Sequence, residues 1–162
     1  MSRAFVKETD GDAPDDDLPE KPQSAHPNYV TADGLADLHR QLDEALAEQG
    51  HVRDRHAAGD IAAKAPLARI ARDIRYLRRR IGDAILVEAK RDEVAIGTTV
   101  TIDDGGQRRT FTIVGEDQAD PAEGKISWTS PLGSALMGQK RGSRLTWRRP
   151  VGDVEVVIVD LG

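Results

Sequence analysis

The feature that most constrains the fold is a run of apolar residues spaced alternately three and four apart: Leu67, Ile70, Ile74, Leu77, Ile81 and Ala84. Kept over nearly three heptads, that spacing puts every one of these side chains on one stripe of an α-helix, and such a stripe needs a facing partner. The partner lies upstream. Leu35, Leu38, Leu42 and Ala45, with Leu46 beside them, give a second amphipathic stretch that starts after Thr31, a good N-cap in TADG. This stripe weakens toward Val52 and His56. Gly59 and Pro66 then bracket a turn, glycine as a stop signal and proline in the first turn of the next helix. The two stretches predict an antiparallel helical hairpin (coiled coil) over residues 31–90, with arms about 35 to 40 Å long at a rise of 1.5 Å per residue.

After Lys90 the period changes. VAIGTTVTID and RRTFTIVG are β-branched runs on either side of DDGG, Asp103 to Gly106, a hairpin turn signal. KISWTS reads as a third strand. SPLGSALMG reads as a short helix, with Ser130 as N-cap, Pro131 at its first position and Gly138 as its stop. SRLTW and VEVVIVDL supply two more strands. The fold class is therefore α+β: a helical hairpin followed, over residues 91–162, by a small antiparallel sheet with one short helix against it.

The net charge of -5 is unevenly placed. Residues 1–30 hold seven acids against three bases, are rich in Asp, Pro and Gly, and are too poor in apolar residues to bury a core. They read as a disordered acidic tail, either inert or able to mask a basic surface. Residues 64–80 are the opposite: Lys64, Arg69, Arg72, Arg75, Arg78, Arg79 and Arg80 stand against Asp73 alone. A charge run on a helix is usually a solvated face with local pairs, and Asp73 with Arg69, and Asp83 with Arg79, have the four-residue spacing for that. Most of the arginines are expected to remain unpaired, leaving a positive stripe, Arg69, Arg72, Arg75 and Arg79, suited to RNA or DNA phosphates or to an acidic protein surface.

Several classes are excluded or disfavoured. The chain has no cysteine, so disulfides and thiolate metal sites are out. The four histidines, His26, His39, His51 and His56, lack metal-ligand spacing, and no phosphate loop or nucleophile elbow is present. No metal and no cofactor are expected. The acidic start does not read as a signal peptide and no apolar run approaches membrane-spanning length, so a cytoplasmic protein with no membrane partner is expected.

Several literal stretches resemble the bacterial Gre-type transcription elongation factors. IVGEDQAD, GKIS and SPLGSALMGQKRG look like that family's C-terminal domain, while TADGLADLHRQL and RYLRRRI resemble its hairpin; together they cover about residues 28–161. The resemblance implies an FKBP-like fold for residues 91–162 that docks on RNA polymerase at the rim of its secondary channel. It also implies a contact region at Ser130, Pro131 and Leu132. A Ser-Pro pair is equally a plain helix start, and the two roles are compatible.

Members that stimulate transcript cleavage carry a tip resembling G-D-x-x-E-N, whose two acids hold a magnesium ion. A hard cation that retains several waters needs one or two carboxylates to fix it, and it must also generate the attacking hydroxide. Gly59 and Asp60 match the first two positions, but Ala63 and Lys64 stand where the second acid and the asparagine would be. No acid occurs between Asp60 and Asp73, so Asp60 reads as a turn or cap residue. The arm also looks about one heptad shorter than in cleavage factors, which withdraws the tip by about 10 Å. The expected protein is a polymerase-binding regulator, not an enzyme, acting by occupancy. Alternatives are a cleavage-competent Gre factor, a Rnk-like regulator of a nucleoside-diphosphate kinase, and an FKBP-like prolyl isomerase. The last needs an aromatic-lined pocket, and the chain has only six Phe, Trp and Tyr residues; Phe111, Trp128 and Trp147 are expected to be core.

Overall fold

The computed structural model describes residues 18–162. Helix α1 spans Ala32–Ala57 and begins as expected, with the Thr31 hydroxyl accepting a hydrogen bond from the Gly34 amide at 3.1 Å. Helix α2 spans Lys64–Gly82 and is entered through a 3-10 turn at Ile61–Ala63. The arms close on two apolar clusters. Val30, Leu38 and Leu77 form one near the base, and Val52, Ala63, Ile70 and Ile74 the other near the tip, with Leu42 and Ala45 packed against both. Each large aliphatic side chain buried along this seam contributes about 1.5 to 3 kcal/mol. The stripe does not fail at Val52, which is 8% exposed; Ala63 and Ile70 from the other arm cover it.

Two boundaries differ from expectation. Helix α2 stops at Gly82, and Ala84–Leu86 leave it as strand β2, which pairs in parallel with strand β1, Asn28–Val30. Residues 28–30 are thus not tail. Val30 is buried against Leu38 and Leu77, and Asn28 is buried because it hydrogen-bonds α2. The expected tail over residues 1–17 lies outside the described residues.

The remaining strands are β3 (Thr99–Asp103), β4 (Arg108–Val114), β5 (Lys125–Ser127), β6 (Arg144–Trp147) and β7 (Val154–Leu161), in the spatial order β5-β4-β3-β7-β6. The β3–β4 turn forms at DDGG as read, with Asp103 accepting from the Gly105 and Gly106 amides. The sheet is mixed rather than wholly antiparallel, since β4 and β5 run parallel with Thr112 level with Lys125. The cause is the connection between them, which is not a hairpin turn but two 3-10 turns, Glu116–Gln118 and Pro121–Glu123, that carry the chain back to the level of Thr112 in the second half of β4. Helix α3, Pro131–Leu136, lays Leu132 and Leu136 into a core with Val100, Ile102, Ile113, Val156 and Ile158. Phe111, Trp128 and Trp147 pack against this core, as expected. No described helix is long and apolar enough to cross a membrane.

The hairpin and the β domain meet at one polar joint. Asp117, in the first 3-10 turn, accepts from Arg80 Nε at 2.6 Å and from the Tyr76 hydroxyl at 2.9 Å. Arg80 also donates to the Asn28 side-chain oxygen, and the Asn28 amide donates to the Arg80 carbonyl at 2.7 Å. Burial, then the Asp117 hydrogen bond, pushes the Tyr76 phenol above its ordinary value, so it remains a donor. The Thr31 hydroxyl donates to Gln118 Oε1 at 3.0 Å. The approach is close: a Cβ on Gly115 would lie 2.2 Å from the Tyr29 carbonyl oxygen. These contacts fix the direction in which the hairpin leaves the β domain.

Candidate functional site

Two places carry the expected function, the hairpin tip and the start of α3. At the tip, Gly59 takes φ +97, which ends α1 in a conformation that side chains rarely adopt. Asp60 follows. One carboxylate oxygen accepts from the Ala62 amide at 3.1 Å and the other from Arg55 Nε at 3.1 Å. The Arg55 hydrogen bonds hold the Asp60 carboxyl below its usual value, with the Ala62 and Ala63 amides adding smaller contributions. Asp60 is thus a cap and an ion-pair partner, as its sequence context suggests. Arg55 was not singled out from the sequence, although it stands one turn before the Gly59 stop.

Ala63, where the second acid would stand, is fully buried beneath Val52, Ile70 and Ile74, and Lys64 opens α2. A side chain at position 63 therefore points into the hairpin seam and not out of the tip. With one carboxylate already paired and the other position turned inward, these residues do not fit a two-acid magnesium site. Among the described residues no group of three or more His, Cys, Asp or Glu side chains could hold a metal ion. The cap has a pH signature. Because the folded pKa of Asp60 lies below its unfolded value of about 3.9, its stabilising contribution is complete above that value and is lost as pH falls through the folded one. The Asp60 side-chain carboxyl carbon resonance is expected to titrate with a midpoint below the ordinary aspartate value; a midpoint at or above that value would contradict the Arg55 pairing.

The basic arm is partly neutralised, contrary to the expectation that most of its arginines lack partners. Arg75 pairs with Glu20 at 2.7 Å, Arg79 with Asp83 at 3.7 Å as its spacing suggests, and Arg72 lies 3.7 Å from Asp73. The expected Asp73–Arg69 pair does not form, because Lys21 takes Asp73 at 2.8 Å. Arg80 leaves the stripe altogether: it is 3% exposed and serves the joint. Arg69 and Arg78 stay exposed, with no ion pair among the described residues.

At the start of α3, the Ser130 hydroxyl accepts from the Gly133 amide at 3.1 Å and donates to the Ser127 carbonyl at 2.7 Å. A Cβ on Gly133 would lie 2.0 Å from that same carbonyl oxygen, so only glycine fits there. Pro131 and Ser134 are exposed. Leu132 is not available for contact: at 4% exposure it belongs to the core. Removing the cap by Ser130→Ala is expected to cost about 1 kcal/mol in chemical denaturation, and Ser130→Asp to restore most of it; equal losses in both would show that the hydroxyl's donation to Ser127, and not the cap, matters. Beside α3 an apolar cleft of about 480 Å³ is lined by Tyr29, Val87, Val94, Ile96 and Met137. With one aromatic ring it lacks the walls a prolyl isomerase needs.

Comparison with known proteins gives one family. Residues 88–162 match the model described as transcription elongation factor, GreA/GreB, C-terminal. The chain is 34% identical over 155 residues to the transcription elongation factor GreA of Roseiflexus sp. (strain RS-1), covering 85% of this chain and 99% of that one. It is 34% identical over 146 residues to the GreA of Listeria monocytogenes serotype 4a (strain HCC23), covering 80% and 91%. Among solved structures, the GreA factor homolog 1 (Gfh1) of Thermus thermophilus matches at 26% identity over 85% of this chain and 99% of that one, with a TM-score of 0.40 that is too low to carry an argument.

Proposed function

The chain belongs to the GreA/GreB family of transcription elongation factors, and from that premise we propose that it binds bacterial RNA polymerase at the secondary channel and acts there by occupancy, without stimulating transcript cleavage. The observation that carries this reading is the tip, where the Asp60 carboxylate is held by Arg55 and the second acid position is a buried alanine. A hairpin about one heptad shorter than in cleavage factors is part of the same reading. The match to the Roseiflexus protein runs over 155 positions yet takes in only 85% of the 162 residues here, which is fewer than 155, so the relative carries residues within the span that this chain lacks.

In this reading residues 91–162 dock on the channel rim through the rigid turn from Ser127 to Gly133, with Pro131 and Ser134 as the outward side chains and Ser130 as their support. The arm presents Arg69, Arg75, Arg78 and Arg79 to RNA or DNA phosphates or to acidic polymerase surfaces. The protein has no chemistry of its own and needs no cofactor. The test is a purified backtracked elongation complex. The protein is expected to co-purify with polymerase and to leave RNA cleavage at neutral pH at the intrinsic rate. Cleavage above that rate, abolished by Asp60→Ala, would establish a working metal site at the tip instead.

A further inference from the structure

The apolar cleft beside α3 takes its walls from both parts of the molecule. Tyr29, in β1, and Val87, just past β2, come from the base of the hairpin, whereas Val94, Ile96 and Met137 come from the β domain. Backbone hydrogen bonds hold these walls in place. The Val87 amide donates to the Val30 carbonyl at 2.9 Å, the Val94 amide to the Gln139 carbonyl at 2.8 Å, and the Gly138 amide to the Val94 carbonyl at 2.8 Å. The cleft, about 480 Å³, is therefore preformed. Its apolar surface also continues outward: the β1–β2 register sets Ile85 level with Tyr29 on one face of that parallel pair, and Ile85 is 46% exposed.

The chemistry of the lining narrows what the cleft accepts. A small-molecule site carries a few polar groups that converge on the ligand. Here the charged side chains stand at the rim instead, where Lys90 pairs with Glu93 and Glu88 is exposed. Two acids against one base do not attract phosphate. An apolar floor inside a polar rim is the arrangement of a protein–protein contact, in which a side chain of the partner fills the pocket. Helix α3 joins the cleft to the docking turn, since Met137 lines the cleft and caps the helix whose other end exposes Pro131, about 9 Å away.

We propose that the cleft receives an aliphatic or aromatic side chain from the RNA polymerase surface on which Pro131 and Ser134 rest, so that one contact grips the β domain and the hairpin base together. This assignment deepens the docking reading and rests on it. Because the two walls belong to the two parts that the Arg80–Asp117 joint connects, a side chain seated between them adds a second tie and holds the bound hairpin in the direction the joint sets.

The test is equilibrium binding of the full chain to purified core RNA polymerase. Val87→Ser and Met137→Ser are each expected to weaken binding about tenfold, Met137→Leu, which refills the wall, far less, and Ile85→Ser, at the mouth, about threefold. Val151→Ser, the same kind of change at a side chain 85% exposed in the β6–β7 turn, is expected to leave the affinity as it is. Val87 and Met137 also pack against the β-domain core, so the melting of each variant is followed. If a serine variant is unfolded at the assay temperature, Ile85→Ser decides in its place. Unchanged affinity in the folded cleft variants, or a loss no greater than that of Val151→Ser, would overturn the proposal and leave the docking reading intact. So would self-association of the unaltered chain that Val87→Ser abolishes, since the occupant would then be a second copy. An unaltered chain that does not bind polymerase would remove the docking reading, and the partner of the cleft with it.

Discussion

Ala63→Glu is expected to damage the hairpin tip rather than to restore transcript cleavage. By alignment it replaces the missing acid, and a view of the tip as an exposed loop would expect a gain of activity. The packing forbids it. Ala63 has no exposed surface and is covered by Val52, Ile70 and Ile74, so a carboxylate there is either forced into an apolar seam, with its pKa raised, or released by unwinding of the tip. The cost is about 3 kcal/mol or more, limited by how readily the tip frays. The variant should melt at a lower temperature and leave cleavage at the intrinsic rate, and in the proposed reading an arm about one heptad short withdraws the tip by about 10 Å as well. Both faults need repair at once. A chimera with a full-length acidic tip, spliced between the arms so that Leu42 and Leu77 keep their seam, should recover cleavage. Robust cleavage by Ala63→Glu alone would show that the arm reaches far enough and that the tip can turn its sixty-third side chain outward.

Arg80→Met is expected to be the most damaging single change outside the apolar core. Its guanidinium bridges Asp117 and Asn28, and its loss leaves a carboxylate and an amide at the joint without their partner. Removing one member of a buried pair costs about 3 to 5 kcal/mol; the low end applies here, because Asp117 keeps 14% side-chain exposure and its bond from Tyr76. Arg80→Lys should rescue little, since an ammonium cannot reach both partners in the same fork. Arg80→Met combined with Asp117→Leu should recover part of the loss, because the Asp117 carboxylate is then gone, although Glu116, 3.9 Å from Arg80, and the Tyr76 hydroxyl each lose a partner. If Arg80→Met were neutral in denaturation, the joint would not be what fixes the hairpin to the β domain.

The same two positions show how far the sequence could be read. The seam spacing identified the hairpin, and the Thr31 cap, the DDGG turn and the Ser130 cap all formed where local chemistry places them. Ala63 was legible too, although as the wrong thing. It stands four residues before Leu67 and so continues the alternation that runs through Ile70, Ile74 and Leu77, which places its side chain in the seam whatever residue an acidic tip carries there. Arg80 was concealed by its neighbours. One guanidinium among seven basic residues looks solvated, and its burial depends on Asn28 and Asp117, which lie 52 and 37 residues away; only its place three residues after Leu77, beside the seam, hinted at an inward role. The parallel β4–β5 pair and the β1–β2 pair arise from long-range pairing that no short window encodes. Leu132 was misassigned for the opposite reason, a motif-based contact taking precedence over an apolar residue in the first turn of a helix laid on a sheet.

In the proposed reading this protein shares a docking place with cleavage factors of its family and lacks their chemistry. The most direct measurement is the RNA cleavage rate of a backtracked complex held at a fixed, stimulating concentration of a cleavage-competent family member while this protein is titrated in. The rate is expected to fall with concentration toward the intrinsic value, and Asp60→Ala to inhibit as well as the unaltered chain. A rate that stays constant at concentrations where this protein is bound to polymerase, or that rises, would contradict it.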